Sequence, residues 1–118
     1  MSKIADDVYA ALLIEFPHNV IQKEHFIYYK GTRLFFDFLI KDLGVLIEVQ
    51  GKQHTAFIKH FHSNKDNFLN QKKRDRLKVE YVMEGSKFCL ARFNYDDEIT
   101  PNLIKHKIYN ALIHKFYE

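Results

Sequence analysis

Phe36-Asp37-Phe38-Leu39-Ile40 and, after a short turn, Val45-Leu46-Ile47-Glu48-Val49-Gln50-Gly51 are the runs whose reading decides the fold. Both consist mainly of residues that suit a pleated, buried surface, and the turn between them makes a hairpin. Each run nevertheless contains one carboxylate. An ionised carboxylate taken out of water costs on the order of several kcal/mol unless it is paired or holds a metal. A hairpin centred between Asp42 and Leu43 pairs residues whose numbers sum to 85, which sets Asp37 opposite Glu48. Directly opposed residues of an antiparallel pair share a face, with Cβ atoms roughly 4.5–5.5 Å apart, so both acids are expected to reach one divalent cation. Gln50, two residues beyond Glu48, is expected on that face too. A slip of one residue would part the two acids and expose their apolar neighbours.

Upstream, Ile4, Val8, Ala11, Leu12 and Glu15 recur at helical spacing and Pro17 ends the pattern, which predicts a helix over about 3–15. A first strand is expected over 20–29, with Lys30-Gly31-Thr32 as the turn into the second. After Gly51 an irregular, histidine-rich stretch runs to about Asn64. A long helix is predicted over 65–84 with Gly85 as its stop, then a fourth strand over 87–93. Thr100 as N-cap and Pro101 as first helical residue open a last helix over about 101–117, with Leu103, Ile104, Ile108, Ala111, Leu112 and Phe116 as its apolar stripe. The expected architecture is α/β (α+β): an α-β-β-β-α-β mixed sheet flanked by helices, plus a C-terminal helix. At 118 residues the chain suffices for one core and is too short for two.

A hydrophobic content of 47% places the chain among folded globular domains rather than disordered ones. Met1-Ser2-Lys3-Ile4-Ala5-Asp6-Asp7 runs quickly into acids, and no uncharged run approaches a membrane span, so a cytoplasmic protein without membrane contact is expected. The lone Cys89 lies in the apolar run Phe88-Cys89-Leu90-Ala91 and reads as a buried, inert thiol. Charge is unevenly spread. From Lys59 to Lys78 seven bases (Lys59, Lys65, Lys72, Lys73, Arg74, Arg76, Lys78) face two acids, a local +5 that leaves −2 elsewhere in a chain of net charge +3. A basic segment beside an acidic metal site suits a polyphosphate, and these seven are the expected DNA phosphate contacts. A solvated helix face is the plainer reading of such a run.

Within the long helix, Asp75, Val79 and Val82 fall at i, i+4 and i+7, which places Asp75 on or beside the sheet-facing stripe, and Lys72 and Arg76 on another. There it either looks toward the end of the third strand or makes a salt bridge with Arg74 or Lys78. His54 follows that strand's end, where chain exits commonly line a site. The reaction these residues suggest is phosphodiester hydrolysis. Mg²⁺ held by Asp37 and Glu48 would polarise the phosphate, Gln50 would orient a water or phosphate oxygen, and His54 would serve as general acid or base. Alanine at Asp37 or Glu48 is then expected to abolish cutting and leave the fold intact. A transition-metal site on His54, His60 and His62 lacks cysteine and an evident fourth ligand.

Asp37 followed by Glu48-Val49-Gln50 resembles the Asp…Glu-x-Lys core of the PD-(D/E)XK nuclease superfamily, with glutamine at the lysine position. The longer string Ile47-Glu48-Val49-Gln50-Gly51-Lys52-Gln53-His54, then Arg74-Asp75-Arg76-Leu77-Lys78, Gly85 and Leu90-Ala91-Arg92-Phe93, is similar to the branch containing very-short-patch repair endonuclease and the EDxHD-type phage and homing endonucleases. The likeness spans about residues 4–95 and omits the last helix. It implies a restriction-endonuclease-like core and a Mg²⁺-dependent endodeoxyribonuclease or nickase, Mn²⁺ substituting, with a phage, mobile-element or repair role. It also implies a site of Asp37, His54, Asp75 and an acid from the first helix, with Glu48 and Gln50 at the superfamily positions. That acid is Glu15 by preference, with Asp6, Asp7 and Glu24 as alternatives. Gln50 leaves room for the alternative of a catalytically inactive DNA-binding or assembly subunit on the same fold, and the last helix for a homodimer or larger nucleic-acid-processing assembly.

Overall fold

The computed structural model describes residues 2–51 and 65–118; His54, Lys59 and the rest of the histidine-rich stretch lie outside the described residues. The elements are α1 (Lys3–Glu15), β1 (Ile21–Tyr29), β2 (Thr32–Ile40), β3 (Val45–Gln50), α2 (Lys65–Met83), β4 (Cys89–Asn94), α3 (Pro101–His114) and β5 (Phe116–Tyr117). Together they form an α+β fold with one five-stranded mixed sheet in the order β1-β2-β3-β4-β5. The pairs β1/β2 and β2/β3 are antiparallel, whereas β3/β4 and β4/β5 are parallel.

Local sequence explains most of these boundaries. The Ser2 hydroxyl accepts from Ala5 N–H at 3.2 Å and caps α1, while Thr100 caps α3 in the same way through Leu103 N–H at 3.1 Å. Lys30 and Gly31, with φ of 48° and 74°, make the tight left-handed turn that a two-residue hairpin requires. Gly44 has φ of 68°, and its amide donates to Ile40 O at 2.9 Å while its carbonyl accepts from Cys89 N–H at 3.0 Å. The β2–β3 turn is thereby tied to the start of β4. The β2/β3 register runs Phe38↔Ile47, Leu39↔Leu46, Ile40↔Val45, so the paired numbers sum to 85 as expected.

The expected last helix is too long by three residues. Lys115 has a left-handed φ of 75°, which ends α3 after His114, and Phe116 leaves the helical stripe to enter β5 beside Leu90. Lys115 fastens this break: its carbonyl accepts from Leu90 N–H at 2.8 Å and its ammonium donates to Phe88 O at 3.1 Å. Leu112, placed on the same stripe by spacing, is exposed, and Lys107 is buried in the helix. No helix among the described residues is long and apolar enough to cross a membrane.

Two cores lie on the two faces of the sheet. Val8 and Leu12 of α1 and Ile104, Ile108 and Ala111 of α3 pack against Phe38, Ile47, Ala91 and Phe93. On the other face, Val82 and Leu77 of α2 pack against Leu34, Phe36, Leu46 and Leu90. Cys89 is buried in the first core, and burial pushes its thiol above the ordinary value. A thiol reagent at pH 8 is therefore expected to leave native Cys89 unmodified and to react with one thiol per chain after denaturation in guanidinium. Rapid native reaction would contradict this packing.

Strand alternation breaks at one place. In β2, Leu34 and Phe36 face α2, yet Phe38 and Ile40 face α1 and α3; in β1, Ile27 and Tyr29 take the first side and Ile21 the second. The β1/β2 ladder pairs Lys23↔Phe38 and His25↔Phe36 but omits Glu24 and Asp37 between them, and Glu24 adopts a φ of 56°. Both strands thus turn over together at the Glu24–Asp37 position. Irregularities of this kind re-aim side chains, and they concentrate beside functional sites.

Candidate functional site

Beyond the last ladder pair Phe38↔Ile47, β2 and β3 part, and a side chain takes over from the backbone: Val49 N–H donates to Asp37 Oδ2 at 2.7 Å. Asp37 therefore stands in the fork between the strands. It lines a broad groove along α1 with Asp7, Glu15, Glu24 and Gly51. It also lines a smaller cleft of ≈ 290 Å³ with Glu24, Phe35, Glu48, Val49 and Lys78. Asp37 and Glu48 share that cleft, although the ladder ends one pair short of setting them directly opposite each other.

Glu48 is 2% exposed and is not left uncompensated. Lys78 Nζ donates to its Oε1, and Arg92 Nε donates to its Oε2 at 2.8 Å. Arg92 is itself buried, and its Nη2 donates to the carbonyl of Asp75 at 3.2 Å. One more buried cation extends the chain of contacts: Lys107 Nζ donates to Arg92 O at 2.7 Å and lies 3.2 Å from Asp97. The buried carboxylate that called for a metal is thus already flanked by two cations. Two expectations change with this. Lys78 belongs to the sheet-facing stripe Asp75–Lys78–Val82 and is buried against Glu48 and Phe36, so it is no exposed phosphate contact. Alanine at Glu48 would strand the buried Lys78 and leave Arg92 only its contact with the half-exposed Glu118, 3.6 Å away, so it is not expected to leave the fold untouched.

The remaining expected residues divide between neighbouring clefts. Gln50 and Asp75 are buried and line a third cleft with Lys72, Arg76 and Arg92, on the α2 side of the sheet and separate from the Asp37 fork. The main-chain carbonyl of Asp75 receives Arg92, which joins this cleft to Glu48. Among the acids considered for the first helix, Asp7 and Glu15 line the groove with Asp37, and Glu24 of β1 lines both spaces that Asp37 borders. Asp7 pairs with Lys3 and Glu15 with Lys105, each at 3.3 Å. Lys65, Lys73, Arg74 and Arg76 are exposed and Lys72 is half-buried, so α2 presents a basic outer face.

Arg92 and Lys107 escaped the reading of the sequence as site residues. The signal for Arg92 was the one used for Glu48, a lone charge within a buried strand run, and the parallel register sets it directly beside Glu48. Lys107 carried no such signal, because a lysine on an amphipathic helix ordinarily reaches water.

The donor set can be weighed against a divalent ion. Among the described residues, no three of His, Cys, Asp and Glu converge as a ready metal cage. Asp37 and Glu48 are hard oxygen donors on one cleft, and Mg²⁺ is commonly held by one or two carboxylates while water and substrate phosphate complete its shell. The donor types suit that mode, with both Glu48 oxygens at present accepting from Lys78 and Arg92.

The fold thus defines an α+β domain whose split hairpin gathers an acidic fork and a buried Glu–Lys–Arg cluster. In sequence, part of the chain is similar to two viral proteins. It is 44% identical over 55 residues to Uncharacterized protein 033L of invertebrate iridescent virus 3, a match covering 47% of this chain and 28% of that protein. It is 56% identical over 62 residues to Uncharacterized protein 307L of invertebrate iridescent virus 6, covering 52% of this chain and 31% of that protein. The match therefore spans less than a third of either relative. No protein-family model and no solved structure matches the chain.

Proposed function

We propose that the chain is a Mg²⁺-dependent DNA endonuclease or nickase of the PD-(D/E)XK type, acting at the Asp37–Glu48 cleft. The observation that carries this reading is two carboxylates on one cleft at a strand fork, reached by a cation from the next helix. Asp37 and Glu48 would hold the ion, which when bound polarises the scissile phosphate and acidifies a water. Asp37 is positioned for this by its own acceptor bond from Val49 N–H, which fixes the carboxylate at the mouth of the fork. Lys78 brings a positive charge to the cleft, the charge that neutral Gln50 cannot supply, and can steady developing negative charge on a phosphate. Gln50 borders the Asp75 cleft, where its amide can hold a water or a phosphate oxygen. His54 keeps its proposed role as general acid or base.

The exposed bases of α2 would dock the duplex through its backbone. Alanine at Lys73, Arg74 or Arg76 is expected to weaken binding alike for every duplex sequence and to lower the slope of log affinity against log salt by about 0.9 per lost contact. An unchanged slope would remove α2 from the interface.

Incubation of the purified chain with supercoiled plasmid and Mg²⁺ tests the proposal in one gel. Nicked product identifies a nickase and linear product a double-strand cutter. Untouched plasmid favours the second reading, a DNA-binding or assembly subunit without activity. One observation supports that alternative: both Glu48 oxygens already accept from cations. Calorimetric titration with Mg²⁺ separates the two, because the inactive subunit should take up no ion at this cleft.

A further inference from the structure

We infer that the outer face of the β1–β2 hairpin tip is a stacking platform for unpaired DNA bases, placed to present single-stranded or splayed DNA to the neighbouring cleft. The turnover of both strands at Glu24 and Asp37 creates this face. Past that point Ile27, Tyr29, Leu34 and Phe36 pack toward α2, and their neighbours Phe26, Tyr28, Arg33 and Phe35 are thrown to the side opposite α2. Phe26 is 45%, Tyr28 71% and Phe35 51% exposed. Three aromatic rings together on one exposed surface are uneconomical for a chain that could place polar residues there, and such patches mark binding surfaces.

The register gives the patch its order. Phe26 pairs with Phe35 and Tyr28 with Arg33, so all four side chains share a face. The rings of Phe26 and Phe35 lie 5.8 Å apart at 45°, and Phe26 and Tyr28 meet edge to face at 6.1 Å. The Arg33 guanidinium sits over both phenylalanine rings, 4.1 Å from Phe26 and 4.7 Å from Phe35. A guanidinium held over aromatic rings can keep N–H donors turned to solvent, where phosphate oxygens can accept. Aromatic faces for bases with a fixed cation for the backbone are what proteins use to hold single strands without regard to sequence.

Two further observations favour a nucleic-acid strand as the occupant. Phe35 lines the cleft that contains Asp37, Glu48 and Lys78, so the platform adjoins the candidate site. The charged member of the patch is a cation, which complements a polyanion and opposes the self-docking of two like surfaces. The identity of the partner rests on the nuclease reading; the platform is tested apart from cleavage.

The test uses the whole chain in EDTA with single-stranded oligonucleotides carrying 2-aminopurine, and a blunt duplex of the same sequence. Stacking quenches 2-aminopurine, so wild type is expected to quench it strongly. Phe26→Leu and Phe35→Leu keep apolar bulk and remove the aromatic face; each is expected to relieve the quenching and weaken single-strand affinity about 10-fold or more, with duplex affinity and melting temperature unchanged. Arg33→Gln should lower the affinity and its salt dependence together. Wild type without quenching, or leucine variants that quench as wild type does, would overturn the inference. So would variants that change only self-association in sedimentation, since the patch would then join two copies of the chain. A chain that stacks single strands yet cuts no plasmid would retain the platform and lose the nuclease reading.

Discussion

Glu48→Ala is expected to lose about 3–5 kcal/mol of folding stability, because it leaves Lys78 buried without its counter-charge and Arg92 with only the half-exposed Glu118 carboxylate, 3.6 Å from its Nη1. For a domain of this size that corresponds to a fall of roughly 10–20 °C in melting temperature. Glu48→Gln preserves the volume and one acceptor oxygen, so a smaller loss is expected, although one buried cation must then face an amide NH2 that cannot accept from it. Replacing the cluster as a unit, with Glu48→Leu, Lys78→Met and Arg92→Met together, removes all three charges at once. Such apolar exchanges of similar volume are commonly neutral or stabilising, so the triple variant should recover most of what Glu48→Ala loses. Denaturant unfolding of wild type and the three variants, followed by circular dichroism, decides the matter. Equal stability of Glu48→Ala and wild type would mean that the pairing contributes nothing. The consequence for function is direct: loss of cutting in Glu48→Ala would be ambiguous, because the fold and the cleft fall together.

The positions of most elements were legible because they rest on local chemistry. Caps at Ser2 and Thr100, the turn glycines and the hydrophobic spacing of α1 act over a few residues, and a sequence displays them openly. The β2/β3 register followed from the turn alone, and three ladder pairs obey it. What stayed hidden was non-local. Phe116 fits the helical stripe by spacing, but the left-handed turn at Lys115 sends it into a parallel strand beside β4, a pairing decided by distant residues. The turnover at Glu24 and Asp37 was invisible for a related reason. Alternation read from Phe36 to Ile40 assumes one uniform pleat, and two strands that break it together leave no mismatch in the pairing sum. At the site, spacing along α2 put Asp75, Val79 and Val82 on the inward stripe and left Lys78 among the phosphate contacts, whereas the buried residues are Asp75, Lys78 and Val82. The lysine goes inward because Glu48 waits there, which only the packed structure brings about.

Asp37→Asn is therefore the substitution that isolates chemistry from stability. Asp37 Oδ2 accepts from Val49 N–H, and an asparagine carbonyl oxygen can accept the same bond at the same place. The fold is expected to keep its melting temperature to within a few degrees, in contrast to Glu48→Ala. The charge is what disappears. A neutral amide binds a divalent cation far less well than a carboxylate, and loss of the metal's contribution of several kcal/mol at the transition state corresponds to cutting about 10³-fold slower. Because Glu48, Lys78 and Arg92 remain as they were, and the bases of α2 are untouched, duplex affinity in EDTA should match wild type. Plasmid cleavage with Mg²⁺, a melting curve and a duplex titration on the one variant thus give three independent readings. Intact folding and binding with cutting abolished would assign the ion to the fork at Asp37, and cutting at the wild-type rate would remove that fork from the reaction.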